Sequence, residues 1–416
     1  MSLSLKVFIL LLCTVPVVAG RQAAVDNAPS AFVQDSSAAA TIKQELNGRL
    51  GEFALHYPKS VKRYYEQRRF EPIWILPQGV SEQVWDAMLL FDCVVQYGLF
   101  HSDYHPQELL YEQLDRFAGA PPSGNSRERA RFDIMLTDAL LAFMNHLHYG
   151  KLNPRYPPEA MDNGYADGFD AGAALTRALH QDDFKGAVTG VQPHSAEYAD
   201  LQENMKLVTS QYVGDCYEIP EDDVRKMAIN MERLRWINCN DTPYIHINIP
   251  SGILTLHVPD SSYFFRAIIG KPATPTPITQ GHIRYFFTTS YTEQSTDAAK
   301  SLGKLLFPFA NPLGVSLHDT PDQRLFNRGE KALSNGNIWV EKADRLAVRL
   351  LEADGANRDI ARLHKAMSMH KPEAFTLRKQ VPISITYLTC EIKDGLLVLY
   401  DDIYGLDSAL AHALYQ

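Results

Sequence analysis

The sequence predicts an α+β fold: an N-terminal helical domain followed by a β-rich domain with a few helices. Between Ser81 and Gly150 apolar residues recur at helical spacing, and from Tyr244 onward their period drops to two. The chain's 416 residues suffice for two ordinary domains, and 45% hydrophobic with 21% charged residues is a globular composition.

The N-terminus comes first. Lys6, the apolar run Val7–Val18 and then Ala19-Gly20 predict a secretory signal peptide over residues 1–20, cleaved near Gly20. The run is too short to span a bilayer. Leu12 stands before Cys13 where lipid attachment would want a small residue. No later segment is long and apolar enough to span either, so the mature protein is expected to be periplasmic or secreted, with no membrane span. Loss of Lys6 with the leader takes the net charge from −9 to −10. A mildly acidic chain without basic clusters argues against nucleic acid as a partner.

Residues 21–45, Ser/Ala-rich from Ala28 to Ala40, are predicted to be a flexible lead, and residues 46–205 a helical domain. Within it, Ser81 is the expected N-cap of a helix carrying Val84, Met88, Phe91 and Val95 and closed by Gly98. Ser126 is the expected cap of a longer one carrying Phe132, Leu136, Ala139, Leu140, Phe143 and Leu147 and ended by Gly150. Such stripes are core faces. Residues 206–237 read as a connection and 238–416 as the β-rich domain. There Ile245, Ile247 and Ile249 alternate with polar neighbours, as do Leu254, Leu256 and Val258, with turns at Gly252 and Pro259-Asp260. Phe264–Ile269, His282–Phe287 and Ile383–Cys390 add strand candidates in a mostly antiparallel arrangement, and helices are expected from Lys342 and Arg358.

Four cysteines follow the leader. Cys216 and Cys239 have the best spacing for a disulfide in an oxidising compartment, whereas Cys93 reads as a packed thiol. No CxxC or Cys/His spacing suggests a metal, and no cofactor is expected.

Several phrases are informative beyond their periodicity. They are Tyr65–Trp74 (YEQRRFEPIW), Tyr97–Tyr104 (YGLFHSDY), Leu136–Pro154 (LTDALLAFMNHLHYGKLNP) and Asn230–Trp236 (NMERLRW). Ile268-Ile269-Gly270-Lys271, Pro275-Thr276-Pro277 and Asp402-Ile403-Tyr404-Gly405-Leu406-Asp407 follow. His318-Asp319-Thr320-Pro321 precedes Ser334-Asn335-Gly336-Asn337 by a His-to-Asn337 spacing of nineteen residues. In this order, over roughly residues 60–407, the set resembles the large periplasmic L,D-transpeptidases, cysteine enzymes that cross-link peptidoglycan.

The resemblance implies a helical scaffold domain followed by a β-rich catalytic fold. It places His318 at the base position and makes the backbone carbonyl of Asp319 the group that orients it. In that family the loop reads Ser-His-Gly-Cys with an Arg two residues on. Here Asn335 stands at the His position, Asn337 at the Cys position and Trp339 at the Arg position. Two further departures are visible. The peptidoglycan-binding module that many members carry is replaced by a short connection, Val213–Asp223, and the groove phrase Asn-Pro-x-Trp by Thr288-Thr289-Ser290-Tyr291. His101 and His105, near Asp103, fall in a phrase the family uses structurally, so they are not read as a metal site.

Acyl transfer by such a fold needs a thiolate, a base and backbone donors for the oxyanion. A carboxamide nitrogen is no substitute, because its lone pair is delocalised into the carbonyl. Losing a nucleophile costs on the order of a million-fold in turnover. The N–H groups of Gly336 and Asn337 depend on the turn alone, so carbonyl binding outlasts the chemistry. Ser334 reads as a loop-shaping residue and Cys390 as a core thiol, which leaves no replacement in view. The expectation is a catalytically inactive envelope protein that binds a peptidoglycan stem peptide or an envelope protein through the former groove, with Trp339, Ser334 and Tyr291 as its binding residues. Two alternatives stay open: an acyltransferase or hydrolase with a non-standard nucleophile, and a purely structural interaction protein.

Overall fold

Two cores and a layer between them follow from the two periodicities. The computed structural model describes residues 36–48, 55–119, 125–164, 168–210, 221–237, 243–290 and 303–415. The signal peptide expected over residues 1–20 lies outside these. The helical part comprises α1 (Ser36–Asn47), α2 (Pro58–Gln67), α3 (Gln83–Asp92), α4 (Tyr111–Gly119), α5 (Ser126–Tyr149), α6 (Pro158–Asp162), α7 (Ala171–Ala178), α8 (Phe184–Thr189), α9 (Ala196–Ser210) and α10 (Glu221–Arg235). Helix α1 overlaps residues 36–45 of the stretch expected to be a flexible lead, and it buries Ile42 and Leu46 in the helical core.

Helix α5 is the axis of this part. It is buried on nearly all sides, including two carboxylates that sit among apolar neighbours. Buried charges need donors, and both have them. Asp133 accepts from the Tyr65 hydroxyl and from the N–H groups of Ile73, Trp74 and Ile75 at 2.5–3.1 Å. Asp138 accepts from the N–H groups of His56 and Tyr57 at 2.8 Å and pairs with His105 Nε2 at 2.7 Å. Helix α5 thereby holds the chain segments that pass over it.

Two caps differ from expectation by one residue. Glu82 occupies the N-cap of α3, while the Ser81 N–H is taken by the Trp74 carbonyl and its hydroxyl is buried without a partner. Asn125, at φ +64°, occupies the N-cap of α5 in place of Ser126. Helix α3 ends at Asp92 and passes into a 3-10 turn, Val94–Tyr97, which Gly98 closes in the left-handed region.

The β-rich part contains β1 (Tyr244–Asn248), β2 (Ile253–Val258), β3 (Ser261–Gly270), β4 (Thr279–Thr288), β5 (Leu305–Pro308), β6 (Ser316–His318), β7 (Ala332–Ser334), β8 (Ile338–Val340) and β9 (Glu373–Thr386). Their order is β2-β1-β9-β4-β5-β6-β8-β3-β7, and pairing of β2 with β3 closes the first eight positions into a barrel. Most pairs are antiparallel; β1–β9, β6–β8 and β3–β7 are parallel. Helices α11 (Ala343–Ala353) and α12 (Asp359–Ser368) add Leu346, Leu350 and Leu363 to the barrel core.

The single strand expected over Ile383–Cys390 is divided. Strand β9 stops at Thr386, and a separate hairpin of β10 (Cys390–Lys393) and β11 (Leu396–Leu399) follows. Side-chain amides replace a strand partner at the crossing: Asn248 takes both backbone groups of Leu388, and Asn230 accepts from the Thr389 N–H. Helix α13 (Asp407–Leu414) ends the described chain.

Residues 206–237, expected as a connection, are largely helix: the end of α9 and all of α10, with residues 211–220 outside the described set. These two helices form their own core with Leu388, Cys390 and Leu414. From Ser37 onward the chain is one compact unit. Among the described residues no helix is long and apolar enough to cross a membrane.

Helix α10 joins the two parts through buried charges. Glu232 accepts from the N–H groups of Lys151 and Leu152 and from Trp236 Nε1, and it pairs with Arg235 where both side chains are fully buried. Truncation by Glu232→Ala leaves a buried guanidinium without its counter-charge and the amides of Lys151 and Leu152 without their acceptor. It is expected to lower unfolding free energy by about 3–5 kcal/mol, read by urea denaturation. The exposed Glu330→Ala change should stay within about 0.5 kcal/mol.

Candidate functional site

The loop of residues 334–337 connects β7 to β8, and each of its turns is held by a named group. Ser334 is buried and its hydroxyl donates to the Asn337 carbonyl, closing the loop across its own mouth. The Ser334 carbonyl accepts from the Lys271 N–H at 3.0 Å. Gly336 sits at φ +99°, a backbone region that a side chain disfavours, so the turn requires glycine there. Its carbonyl accepts from Thr276 Oγ1 at 3.0 Å.

Thr276 is itself clamped. Its Oγ1 accepts from the Gly270 N–H at 2.8 Å, and its N–H donates to the Tyr404 hydroxyl at 3.1 Å. That hydroxyl donates to the Gly270 carbonyl at 2.7 Å. The chain folds so tightly here that a Cβ on Gly270 would collide with the Thr274 carbonyl and the Thr276 amide. Tyr404 is placed in turn by Tyr387, whose hydroxyl accepts the Tyr404 N–H at 2.7 Å and donates to Asp402 at 2.6 Å.

Strands β6 and β8 run parallel, pairing Leu317 with Ile338 and His318 with Trp339. Strand alternation therefore sets Ser316, His318, Asn337 and Trp339 on one face. His318 is buried, and its Nδ1 lies 2.9 Å from the Asp319 carbonyl, the orienting contact expected for it. A carbonyl only accepts, so Nδ1 carries the proton and Nε2 presents a lone pair. Burial holds the His318 pKa below its ordinary 6.5, against the opposing pull of the Asp319 carbonyl. The ring is neutral near pH 7. The Asp319 carboxylate turns away from the imidazole, accepting from the Lys304 N–H and Gln323 Nε2, and burial raises its pKa.

Asn337 does not offer its side chain to His318. Its Oδ1 accepts from the Ser316 N–H at 3.1 Å and lies 3.3 Å from the Ser316 hydroxyl. The carboxamide thus serves as a strand-edge acceptor. Asn335 is exposed, and Trp339 is half-buried with its ring centroid 6.2 Å from that of His318. Among the described residues no protein acceptor takes the N–H of Gly336 or Asn337.

Two comparisons with known proteins bear on this arrangement. The family described as the Scaffold domain matches residues 59–205, inside the helical region expected over 46–205. A Haemophilus influenzae protein named "Putative L,D-transpeptidase" is 33% identical over 138 residues, covering 33% of this chain and 27% of that protein's length. Over about a third of its length the chain is similar to a protein of that name, and it carries a match to the Scaffold domain. The curated match thus spans about a quarter of the relative's length.

The remaining candidates fall as follows. Ser334, expected among the binding residues, is buried and spent on the Asn337 carbonyl, so it shapes the loop. Tyr291 and the Cys216–Cys239 pair lie outside the described residues. Thr288 donates to the carbonyl of Lys371, next to β9, and Thr289 donates to that of Gly303. Burial pushes the Cys390 thiol up to about 12, and burial also raises that of half-buried Cys93. Neither is a ready thiolate at neutral pH. His101 is exposed beside Asp92, and His105 is committed to Asp138.

The roles of Thr276, Tyr404 and Ser316 are not readable from residue type. The first two lie in phrases that carried the resemblance, and Ser316 becomes visible only once the parallel register of β6 and β8 is known.

Two outcomes test this geometry. Tyr404→Phe strips the Gly270 carbonyl of its donor and the Thr276 amide of its acceptor. It should destabilise by about 1–3 kcal/mol and speed hydrogen exchange in residues 274–276 and 334–337. Nitrogen-15 NMR of His318 at pH 7 should report a neutral ring protonated at Nδ1. Because its folded pKa lies below the unfolded value, the stability it contributes is present above about 6.5 and is lost as pH falls through the folded value.

Proposed function

We propose that this is a peptidoglycan-related cell-envelope protein, exported by cleavage near Gly20, in which an L,D-transpeptidase frame serves binding and not acyl transfer. The observation that carries this reading is the placement of Asn337, whose carboxamide is engaged by Ser316 while the loop around it keeps its supports. His318 remains oriented and neutral, a base without a proton to take. The Gly336 and Asn337 N–H groups supply donors of the kind that hold a peptide carbonyl. Trp339 offers a flat apolar surface beside them where the family has a guanidinium. A tetrapeptide stem of peptidoglycan supplies carbonyls, N–H groups and an extended backbone that fit these three elements. An envelope protein presenting an extended peptide is recognised by the same chemistry.

Titration with tetrapeptide muropeptides tests the proposal. Binding should change the fluorescence of Trp339, one of four tryptophans, with saturation. The change should vanish in Trp339→Phe. Absence of any saturable signal, with calorimetry also silent, contradicts binding through this groove. Asn337→Cys alone should restore little cross-linking of tetrapeptide donors, because Asn335 and Trp339 remain substituted. Cross-linking by that single variant at family-like rates contradicts the loss of catalytic constraint.

A further inference from the structure

A second group of side chains lies where the helical part meets the barrel, in the first turn of α9 and on β1 and β2. The register pairs Tyr244 with His257 and His246 with Thr255, which places the two imidazoles diagonally on one face of the hairpin. Glu197 of α9 faces both. Its Oε1 lies 3.6 Å from His246 Nδ1 and 3.5 Å from His257 Nε2, and the three atoms fall within 4.8 Å of one another.

These separations are too long for N–H···O hydrogen bonds, which run at about 2.7–3.2 Å. The contrast within the same molecule is direct: His105 Nε2 meets Asp138 at 2.7 Å. His257 Nε2 is buried and has no hydrogen-bond partner. The far nitrogen of each ring is fixed: His246 Nε2 lies 2.8 Å from Thr386 Oγ1, and His257 Nδ1 lies 3.0 Å from Ser262 Oγ. Thr386 Oγ1 donates to the Ile247 carbonyl at 3.3 Å, so it accepts from His246 Nε2–H. With the ring neutral, His246 Nδ1 carries a lone pair aimed at a carboxylate. Two electron-rich atoms facing each other across such a gap call for a cation between them.

We propose that Glu197, His246 and His257 form a zinc site that pins α9 to the β1–β2 hairpin. Ligand atoms bound to tetrahedral zinc at about 2.0–2.1 Å lie roughly 3.3–3.4 Å apart, close to the two separations from Glu197. Two imidazoles and a carboxylate suit this ion, and the Thr386 and Ser262 hydroxyls supply the outer contacts that orient ligating histidines. Beside the site is a cavity of about 30 Å³, bordered by Ser195, Tyr244 and Ser384 as well as Glu197 and His246. It has room for a water as fourth ligand. Sequence spacing gave no hint of it, because Glu197 precedes His246 by a helix and a domain boundary.

The test uses the untagged full chain, stripped with a chelator and dialysed into metal-free buffer. Calorimetry with Zn²⁺ should give one ion per chain, and Co²⁺ should give the intense visible absorption of a four-coordinate site. Thr386→Val keeps all three ligands and should weaken zinc about 10–100-fold. A Glu197→Gln, His257→Gln double variant, folded by circular dichroism, should bind none. Failure of the wild-type chain to bind stoichiometric zinc overturns the proposal, as does full binding by the folded double variant. If that variant does not fold, Thr386→Val decides, and an unchanged affinity overturns the assignment.

Discussion

One tyrosine hydroxyl organises the loop on which this protein's chemistry would turn. Tyr404 donates to the Gly270 carbonyl and accepts from the Thr276 amide, and Thr276 in turn holds the Gly336 carbonyl. The clamp stands at the end of a polar relay. Glu232 holds the amides of Lys151 and Leu152 from the helical part; Lys226 and Arg233 of the same helix reach Asp407 at 2.6 Å. Asp402 then takes the N–H groups of Leu406 and Asp407 together with the Tyr387 hydroxyl, which positions Tyr404. Most links satisfy a backbone or charged group that burial would otherwise penalise, so they are maintained by folding stability whether or not the loop does chemistry.

On the proposed reading, that separation between frame and reaction lets a fold keep its architecture when the residue at its nucleophile position differs. The Gly336 turn, the Ser334 closure and the His318–Asp319 contact need no thiol. A carboxamide at residue 337 adds something of its own, because Oδ1 accepts the Ser316 N–H at the start of β6. On the proposed reading, this residue offers a strand-edge hydrogen bond in place of a reactive group. His318 keeps the tautomer of a base, since that is fixed by a neighbouring carbonyl and by burial.

Much of this was legible in the sequence. The α+β division, the long helix ending at Gly150 and the first four strands follow from apolar periods, and the helices after Lys342 and Arg358 from theirs. Caps were less legible: Asn125, in a left-handed conformation, takes the cap position expected for Ser126, and Glu82 takes the one expected for Ser81. The break after Thr386 was invisible because it is made by two distant asparagine side chains, Asn248 and Asn230. In the site, the contact of His318 with the Asp319 carbonyl, expected from resemblance, is present. The partner of Asn337 was not, because Ser316 meets it through a parallel pairing that no local pattern encodes. Ser334 was assigned to binding from its position in the loop, and its burial assigns it to the loop's own closure.

The account rests on residue 337 offering no group able to take an acyl transfer, with no neighbour replacing it. Intact-mass spectrometry after incubation with a carbapenem-type acylating agent tests this most directly. The protein should emerge with its mass unchanged; a stoichiometric covalent adduct on any residue near His318 would contradict it.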